Sequence, residues 1–386
     1  MRVIMTGGGT GGHVNPALAI ANTIKQNDPS SEILYVGTEH GIESKLVPKA
    51  GYKIEYIDVR GLNRKNPAEN FKAVKLAVKS AIRAKHIIGD FKPDIVIGTG
   101  GYVCWPVVRA AADMKIPTAL HESNAIAGVA VKMLQNCVDR IYLNFEKTGE
   151  TLKCPKEKLM RVGNPVMRGF SSVSREEARK KLGIDDKYKY ILLSFAGSMG
   201  AEKVNDAVLA LMREFTSKHP EVYHIHATGA IEKELCTSQF REMGLDRFEN
   251  IDLCEYIYDM PLKMAAADLT INRAGAMTVS ELAITGKPAI FIPSPNVAEN
   301  HQYKNAKVLA DADAAGLFEE KELINGAIPL VECVGNLLSL SGEETRRKWS
   351  ENVRQFAVTD SNKLIYNDIL KLIEKNHRNR RDDRED

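Results

Sequence analysis

The sequence predicts an α/β protein of two doubly wound domains, each a parallel sheet flanked by helices. Three observations carry this. Short β-branched runs alternate with helical patterns, the alternation breaks near residue 165 and then restarts, and glycine-rich turns stand where strands hand over to helices. A chain of 386 residues accommodates two domains of ordinary size, each able to bury a core without metals or disulfides.

In the first half the strand candidates are Arg2 to Met5, Glu32 to Val36, Asp94 to Ile97, Thr118 to Leu120 and Arg140 to Leu143. Pro16 opens the first helix, through Ala17, Ile20, Ala21 and Ile24. The polar stretch Ser171 to Glu177 reads as a linker followed by a capped helix, which places the first domain at 1–165 and the second at 166–357. The second set of strands is Tyr190 to Phe195, Val222 to Ala227, Ile251 to Leu253, Leu269 to Ile271 and Ala289 to Ile292. Beyond it Leu364, Ile365, Ile369, Leu372 and Ile373 recur at helical spacing, so a terminal helix over 358–375 must bury one face. The charged segment 376–386 reads as a solvated tail.

Composition narrows the function. The net charge of +3 hides a split: residues 1–165 carry 23 Lys and Arg against 15 Asp and Glu, and the remainder is net acidic. A basic half suggests an anionic surface or ligand, whereas the absence of a nucleic-acid-binding motif and an aromatic content of 6% argue against nucleic acid. No apolar run is long enough for a spanning helix or a signal peptide, so a cytoplasmic protein is expected. Cys104, Cys137, Cys154, Cys236, Cys254 and Cys333 lie far apart without zinc spacing, and are expected to be reduced and mostly buried. Asp311-Ala312-Asp313 has no accompanying His or third acid, so no metal site is expected.

The chemistry gathers at strand ends. Gly7-Gly8-Gly9-Thr10-Gly11-Gly12-His13 brings backbone N–H groups and a helix dipole against an anion or a sugar. The same string satisfies G-x-G-x-x-G through Gly7, Gly9 and Gly12, with Glu39 where a nicotinamide dinucleotide fold would place its ribose acid. His13 stands at the helix mouth, where the dipole favours a neutral imidazole; it is either a general base or a cap. Gly98-Thr99-Gly100-Gly101-Tyr102 and His121-Glu122-Ser123-Asn124 sit at further strand ends. In the second half, Gly197-Ser198-Met199-Gly200-Ala201, with Asn205 beyond it, and the helix start at Ala276-Met277-Thr278 suit a diphosphate. Glu281 accepts from a ribose or completes a Thr278-x-x-Glu281 capping box. Glu299 to Gln302 forms a polar cluster able to orient sugar hydroxyls. Between 60 and 92 nine Lys and Arg face two acids, with Lys72, Lys75, Lys79 and Arg83 on one helical face. That face either docks on an anionic bilayer or is merely solvated over a buried stripe.

These motifs, with Val162-Gly163-Asn164-Pro165-Val166 and Arg273 to Glu281, closely resemble the MurG family, in order and over nearly the whole chain to about residue 373. The resemblance implies a GT-B glycosyltransferase, two Rossmann-like domains with an interdomain cleft, whose last helix packs back on the first domain. It implies inverting transfer of N-acetylglucosamine from UDP-GlcNAc to lipid I, giving lipid II, without metal or cofactor, by a peripheral enzyme at the cytoplasmic membrane face. On that resemblance Arg168 and Ser198 meet the diphosphate, Ile257 the uracil, Ala276 to Thr278 the phosphates, Glu281 the ribose and Gln302 the sugar. Thr10, Gly11, Gly12 and Asn124 complete the donor site, and the Gly7 to Gly12 and Gly98 to Gly101 loops, beside Tyr102, take the acceptor diphosphate. His13 is the first candidate for the base and Glu122 the second. Met167 before Arg168, Met199 for a frequent Gln, and Trp105-Pro106 depart from the family pattern. The rival enzymes are a glycolipid synthase of the same architecture with a diacylglycerol acceptor and a nicotinamide oxidoreductase.

Overall fold

The computed structural model describes the chain except residues 60–69, 167, 168, 171, 172, 198, 324, 325 and 386, and the side chains of 70–75, 77, 78, 298 and 380–385. The chain forms two units, Met1–Val166 with Asp360–Asp386, and Met167–Thr359.

Unit 1 is built on β1 (Arg2–Thr6), β2 (Glu32–Gly37), β3 (Lys53–Tyr56), β4 (Ile95–Gly98), β5 (Thr118–Glu122), β6 (Arg140–Leu143) and β7 (Leu159–Arg161). These strands pair in parallel in the order β3-β2-β1-β4-β5-β6-β7, so the order reverses between β1 and β4. The period of two along β1 sends Val3 and Met5 to one face and Ile4 to the other. The first face packs on α1 (Gly11–Asn27). The second packs on helices that include α4 (Cys104–Asp113) and α5 (Val129–Leu134), which follow α2 (Glu43–Lys49) and α3 (Asn70–Phe91). A short α6 (Glu146–Glu150) precedes β7.

Unit 2 opens with α7 (Arg175–Leu182), where Ser174 and Glu177 complete a capping box. Its strands are β8 (Tyr190–Phe195), β9 (Val222–Ala227), β10 (Ile251–Cys254), β11 (Leu269–Asn272), β12 (Ala289–Phe291) and β13 (Ala315–Leu317), in the order β10-β9-β8-β11-β12-β13. Here the reversal lies between β8 and β11. The helices are α8 (Glu202–Glu214), α9 (Lys233–Glu242), α10 (Met260–Ala266), α11 (Ala276–Thr285), α12 (His301–Asp311), α13 (Ile328–Leu337) and α14 (Glu343–Arg354).

The last helix, α15 (Ser361–Glu385), returns to unit 1 and lays Ile365, Ile369 and Leu372 against Ile20 and Ile24 of α1. Asp368, almost fully buried, accepts from Arg140 Nε and Nη2 at 2.8 and 3.2 Å and from Tyr142 OH at 3.0 Å. One carboxylate thus fastens the helix to β6.

The structure corrects several expectations. The strands β3, β7 and β13 were absent from the sequence reading, and each lies at a sheet edge, where a short strand needs only one buried neighbour. The first helix starts at Gly11, five residues before Pro16, because Thr10 O accepts from both His13 N and Val14 N. Pro16 is tolerated in the second turn because the carbonyl it leaves unbonded, that of Gly12, belongs to an exposed residue. The terminal helix begins at Ser361 and runs through the expected tail. Asn376 Nδ2 donates to Lys115 O, and Arg378 lies 3.6 Å from Glu374 one turn back. All six cysteines are free thiols, but only Cys104 and Cys236 are buried.

Candidate active site

Ligands of doubly wound sheets bind beyond the strand ends at the point where strand order reverses. In unit 1 that point lies between β1 and β4, and the two glycine loops follow those two strands. The loops touch: Gly8 N donates to Gly100 O at 3.2 Å, and a Cβ on Gly101 would run into the Gly8 backbone. Three side chains hold the first loop, and sequence reasoning missed two of them, Tyr35 and Glu43. Tyr35 OH donates to Gly7 O at 2.6 Å, Thr99 Oγ1 donates to His13 O at 2.7 Å, and Glu43 Oε2 accepts from Gly9 N at 3.0 Å. Glu43 is fully buried and also accepts from Thr38 N and Oγ1. Only the crowding of glycines at 37, 41 and 8, whose missing Cβ atoms make room for it, signals this carboxylate in the sequence.

His13 occupies the first turn of α1. Its Nδ1 lies 3.0 Å from Gly8 O and 3.3 Å from Thr10 Oγ1. A carbonyl oxygen only accepts, so Nδ1 carries the proton and Nε2 keeps the lone pair. Burial holds the imidazole below its usual pKa, against weaker opposing pulls from Gly8 O and Glu43. The ring is therefore neutral at physiological pH, with its basic nitrogen beside Gly100, where a Cβ would stand 2.9 Å from Nε2.

The other first-unit candidates divide by how far their bonds are spent. Glu122 Oε1 accepts from Asn124 N and Nδ2 at 2.9 and 3.1 Å, and Oε2 accepts from Gly128 N at 2.7 Å, so this buried carboxylate organises the loop after β5. His121 is fully buried on Gly163 O, and burial takes its pKa down to about 4. Thr10, Gly12 and Tyr102 are exposed, and Gly11 and Asn124 half-buried.

In unit 2 the reversal brings the Gly197–Gly200 loop after β8 beside the start of α11 after β11. The N-cap of α11 is Gly275, which offers no side-chain cap, and Ala276, Met277 and Thr278 form the first turn. Thr278 therefore caps nothing, and the capping-box alternative for Glu281 falls. Glu281 sits half-buried one turn further on; burial alone raises its pKa to about 7, with no bond offsetting this among the described residues. Gln302, in α12, accepts from Ser294 N through Oε1 at 2.9 Å, which leaves its Nε2 hydrogens unspent among the described residues. Ile257 is buried between Tyr256 and Tyr258, whose rings meet edge-on at 5.0 Å. Arg273, also unforeseen in this role, donates to Ile292 O at 2.8 Å and pairs with Glu320 at 2.5 Å, tying α11 to the loop that carries Ser294.

Asn205 is a correction. It was expected at the diphosphate, yet the residue is 2% exposed and its amide turns inward, with Nδ2 donating to Thr228 O and Oδ1 lying 3.1 Å from His226 Nε2. Arg168 and Ser198 lie outside the described residues. Among the described residues, no three His, Cys, Asp or Glu side chains group as a metal set, and no helix is long and apolar enough to cross a membrane.

Two Rossmann-like units, each with glycine loops and helix tips at its switch point, form the architecture of the GT-B glycosyltransferases. The chain belongs to glycosyltransferase family 28: residues 3–143 match its N-terminal domain and 191–367 its C-terminal domain. It is 43% identical to the UDP-N-acetylglucosamine–N-acetylmuramyl-(pentapeptide) pyrophosphoryl-undecaprenol N-acetylglucosamine transferase of Acetivibrio thermocellus, over 97% of this chain and 99% of that one. The protein of the same name from Halalkalibacterium halodurans is 42% identical over 84% and 87%. Among solved structures, Acinetobacter baumannii MurG superposes with a TM-score of 0.74 at 28% identity, covering 96% of this chain and 99% of that one. UDP-GlcNAc 2-epimerase from Neisseria meningitidis bound to UDP-GlcNAc, at 15% identity, TM-score 0.65 and coverage of 96% and 100%, shares the fold alone. Family membership removes the nicotinamide reading, and Glu39, its ribose acid, is an exposed turn residue.

Proposed function

We propose that the chain transfers N-acetylglucosamine from UDP-GlcNAc to the 4-hydroxyl of the N-acetylmuramyl unit of lipid I, with inversion, giving lipid II and UDP. The near-full-length identity to transferases of that name carries the reading, and we assign the roles within it as follows. Unit 2 takes the donor: Ala276 to Thr278 amides meet the diphosphate, Glu281 the ribose, Gln302 Nε2 the sugar, and Ile257 the uracil, with Arg168 and Ser198 at the phosphates. In unit 1, Thr10, Gly11, Gly12 and Asn124 are binding residues, and the two glycine loops beside Tyr102 take the acceptor diphosphate.

His13 Nε2 removes the proton of the 4-hydroxyl as that oxygen bonds to the anomeric carbon and the bond to the UDP oxygen breaks. The helix-tip N–H groups of α11 stabilise the charge that grows on the leaving diphosphate. Glu122, spent on its own loop, shapes the acceptor side and moves no proton. The protein works as a peripheral enzyme on the cytoplasmic face of the membrane, docking through α3, where Ile82 stands 55% exposed between Lys79 and Arg83.

The test is UDP release from UDP-GlcNAc or UDP-galactose, offered lipid I, diacylglycerol or no acceptor. Release that requires UDP-GlcNAc together with lipid I supports the reading. Release with diacylglycerol instead makes the chain a glycolipid synthase. Co-sedimentation with anionic but not neutral vesicles checks the docking.

A further inference from the structure

A line of polar side chains lies sealed between β8, β9 and α8 in unit 2, and the reaction uses none of them directly. Thr216, His224, Ser194, His226, Asn205 and Thr228 are each at most 2% exposed. Burial keeps both histidines neutral, His224 well below the usual imidazole range and His226 down to about 4.

A neutral imidazole has a single N–H, so it donates from one nitrogen and accepts at the other. Asn205 Nδ2 donates to Thr228 O at 3.1 Å, which turns Asn205 Oδ1 toward His226 Nε2, 3.1 Å away. His226 Nδ1 faces Ser194 Oγ at 2.8 Å and Ser194 O at 3.2 Å, and the hydroxyl, which can donate or accept, takes the role the ring leaves it. Ser194 Oγ lies 2.8 Å from His224 Nε2, and His224 Nδ1 lies 3.1 Å from Thr216 Oγ1. The six residues thus form one continuous line of hydrogen bonds.

The line ends where two loops meet. Thr228 O and Gly229 press on the Gly200 backbone so closely that neither glycine has room for a Cβ. Thr228 N donates to Cys254 O at 2.9 Å and Gly229 N to Glu255 O at 3.0 Å. We propose that this chain of hydrogen bonds is a positioning device. By fixing Thr228 it sets the spacing between the Gly197–Gly200 loop, which takes the diphosphate, and the Glu255–Tyr258 loop, which takes the nucleobase. Asn205, His226 and Ser194 are positioning residues for the nucleotide and touch no ligand. The inference rests on the donor reading above.

Two variants of the full chain test it. Ser194→Ala cuts the line at its centre, and Thr216→Val cuts it, with little change of shape, at the end away from the loops. Ser194→Ala is expected to raise both the UDP Kd, measured by calorimetry, and the UDP-GlcNAc KM by about fivefold, the worth of one ordered hydrogen bond. The lipid I KM and kcat should stay within about twofold, since no acceptor or reacting group moves. Thr216→Val should shift the same quantities in the same direction by less. Nitrogen-15 spectra should show a single His226 tautomer in the wild type and a mixture of tautomers in Ser194→Ala. If both variants melt lower yet bind UDP as the wild type does, the groups are only core packing and the inference fails. If Ser194→Ala does not fold, Thr216→Val decides by the same criteria. A wild type that binds no UDP overturns the donor reading and this inference with it; one that binds UDP, with both variants equal to it, overturns this inference alone.

Discussion

Replacing Glu281 by Gln should make the protein more stable and a poorer binder of nucleotide at once. Burial raises this carboxyl from an ordinary 4.5 to about 7, with no bond to offset it among the described residues. A carboxyl whose folded pKa is raised costs nothing below its unfolded pKa. Its penalty grows as pH rises from 4.5 to about 7 and is complete above that. A shift of that size corresponds to at most about 3 kcal/mol. Glu281→Gln removes the penalty, so the variant should melt roughly 5–10 °C higher at pH 8, with the gain vanishing at pH 4.5. Binding runs the other way. If the ribose hydroxyls donate to the carboxylate, only the ionised form is competent, about nine-tenths of molecules at pH 8 and about one-tenth at pH 6. Wild-type UDP affinity should then fall about tenfold between those values, while the Gln variant binds weakly at both. Melting curves and UDP calorimetry at both pH values decide the matter. A variant no more stable at pH 8, or one binding UDP like the wild type, refutes the argument that Glu281 is held unpaired for the ribose.

His13→Asn should lower kcat by about a hundredfold or more while UDP binding and melting temperature stay near wild type; a rate within threefold removes His13 as the base. Because His13 titrates below 6.5, the acid limb it imposes on lipid I kcat/KM should fall below that pH, separate from the limb near 7 that Glu281 imposes on donor binding. Gly100→Ala puts a Cβ 2.6 Å from His13 Cδ2 on a backbone at φ +110, so turnover should collapse with UDP binding retained, as a donor titration beside a rate assay would show. Asp368→Ala strands Arg140 and Tyr142 without their buried acceptor and should cost about 3 kcal/mol or more in denaturant unfolding; a loss under 1 kcal/mol would mean that apolar packing alone holds α15.

The sequence made the parallel sheets legible because buried strands such as Ile95–Gly98 are apolar on both faces. Edge strands such as Lys53–Tyr56 carry mostly polar or exposed residues and gave no such signal. Glycine density located both switch points, since only glycine fits where Gly101 meets Gly8. What pattern could not supply was whether a polar side chain spends its bonds inward. Asn205 and Gln302 look alike as amides near a helix start, yet one is consumed by Thr228 and His226 and the other keeps its donors. Glu39 and Glu43 are four residues apart, and only the fold reveals which of them buries its carboxylate under the glycine loop.

Helix α7, remote from either switch point, has its orphan amides satisfied by Ser174 and Glu177. Helices α1, α8 and α11 begin at Thr10, Ala201 and Gly275 without a side-chain cap bond, although Thr10 has a hydroxyl that could supply one. The lack of a side-chain cap is not peculiar to the switch points, since α9 and α14 begin without one too; what sets α1, α8 and α11 apart from these is that they follow the strands at which the order reverses. In α1 the hydroxyl of Thr10 turns instead to His13 Nδ1 and joins Gly8 O in fixing the tautomer. The same residue that leaves the helix tip open for an anion thus helps aim the basic nitrogen beside it.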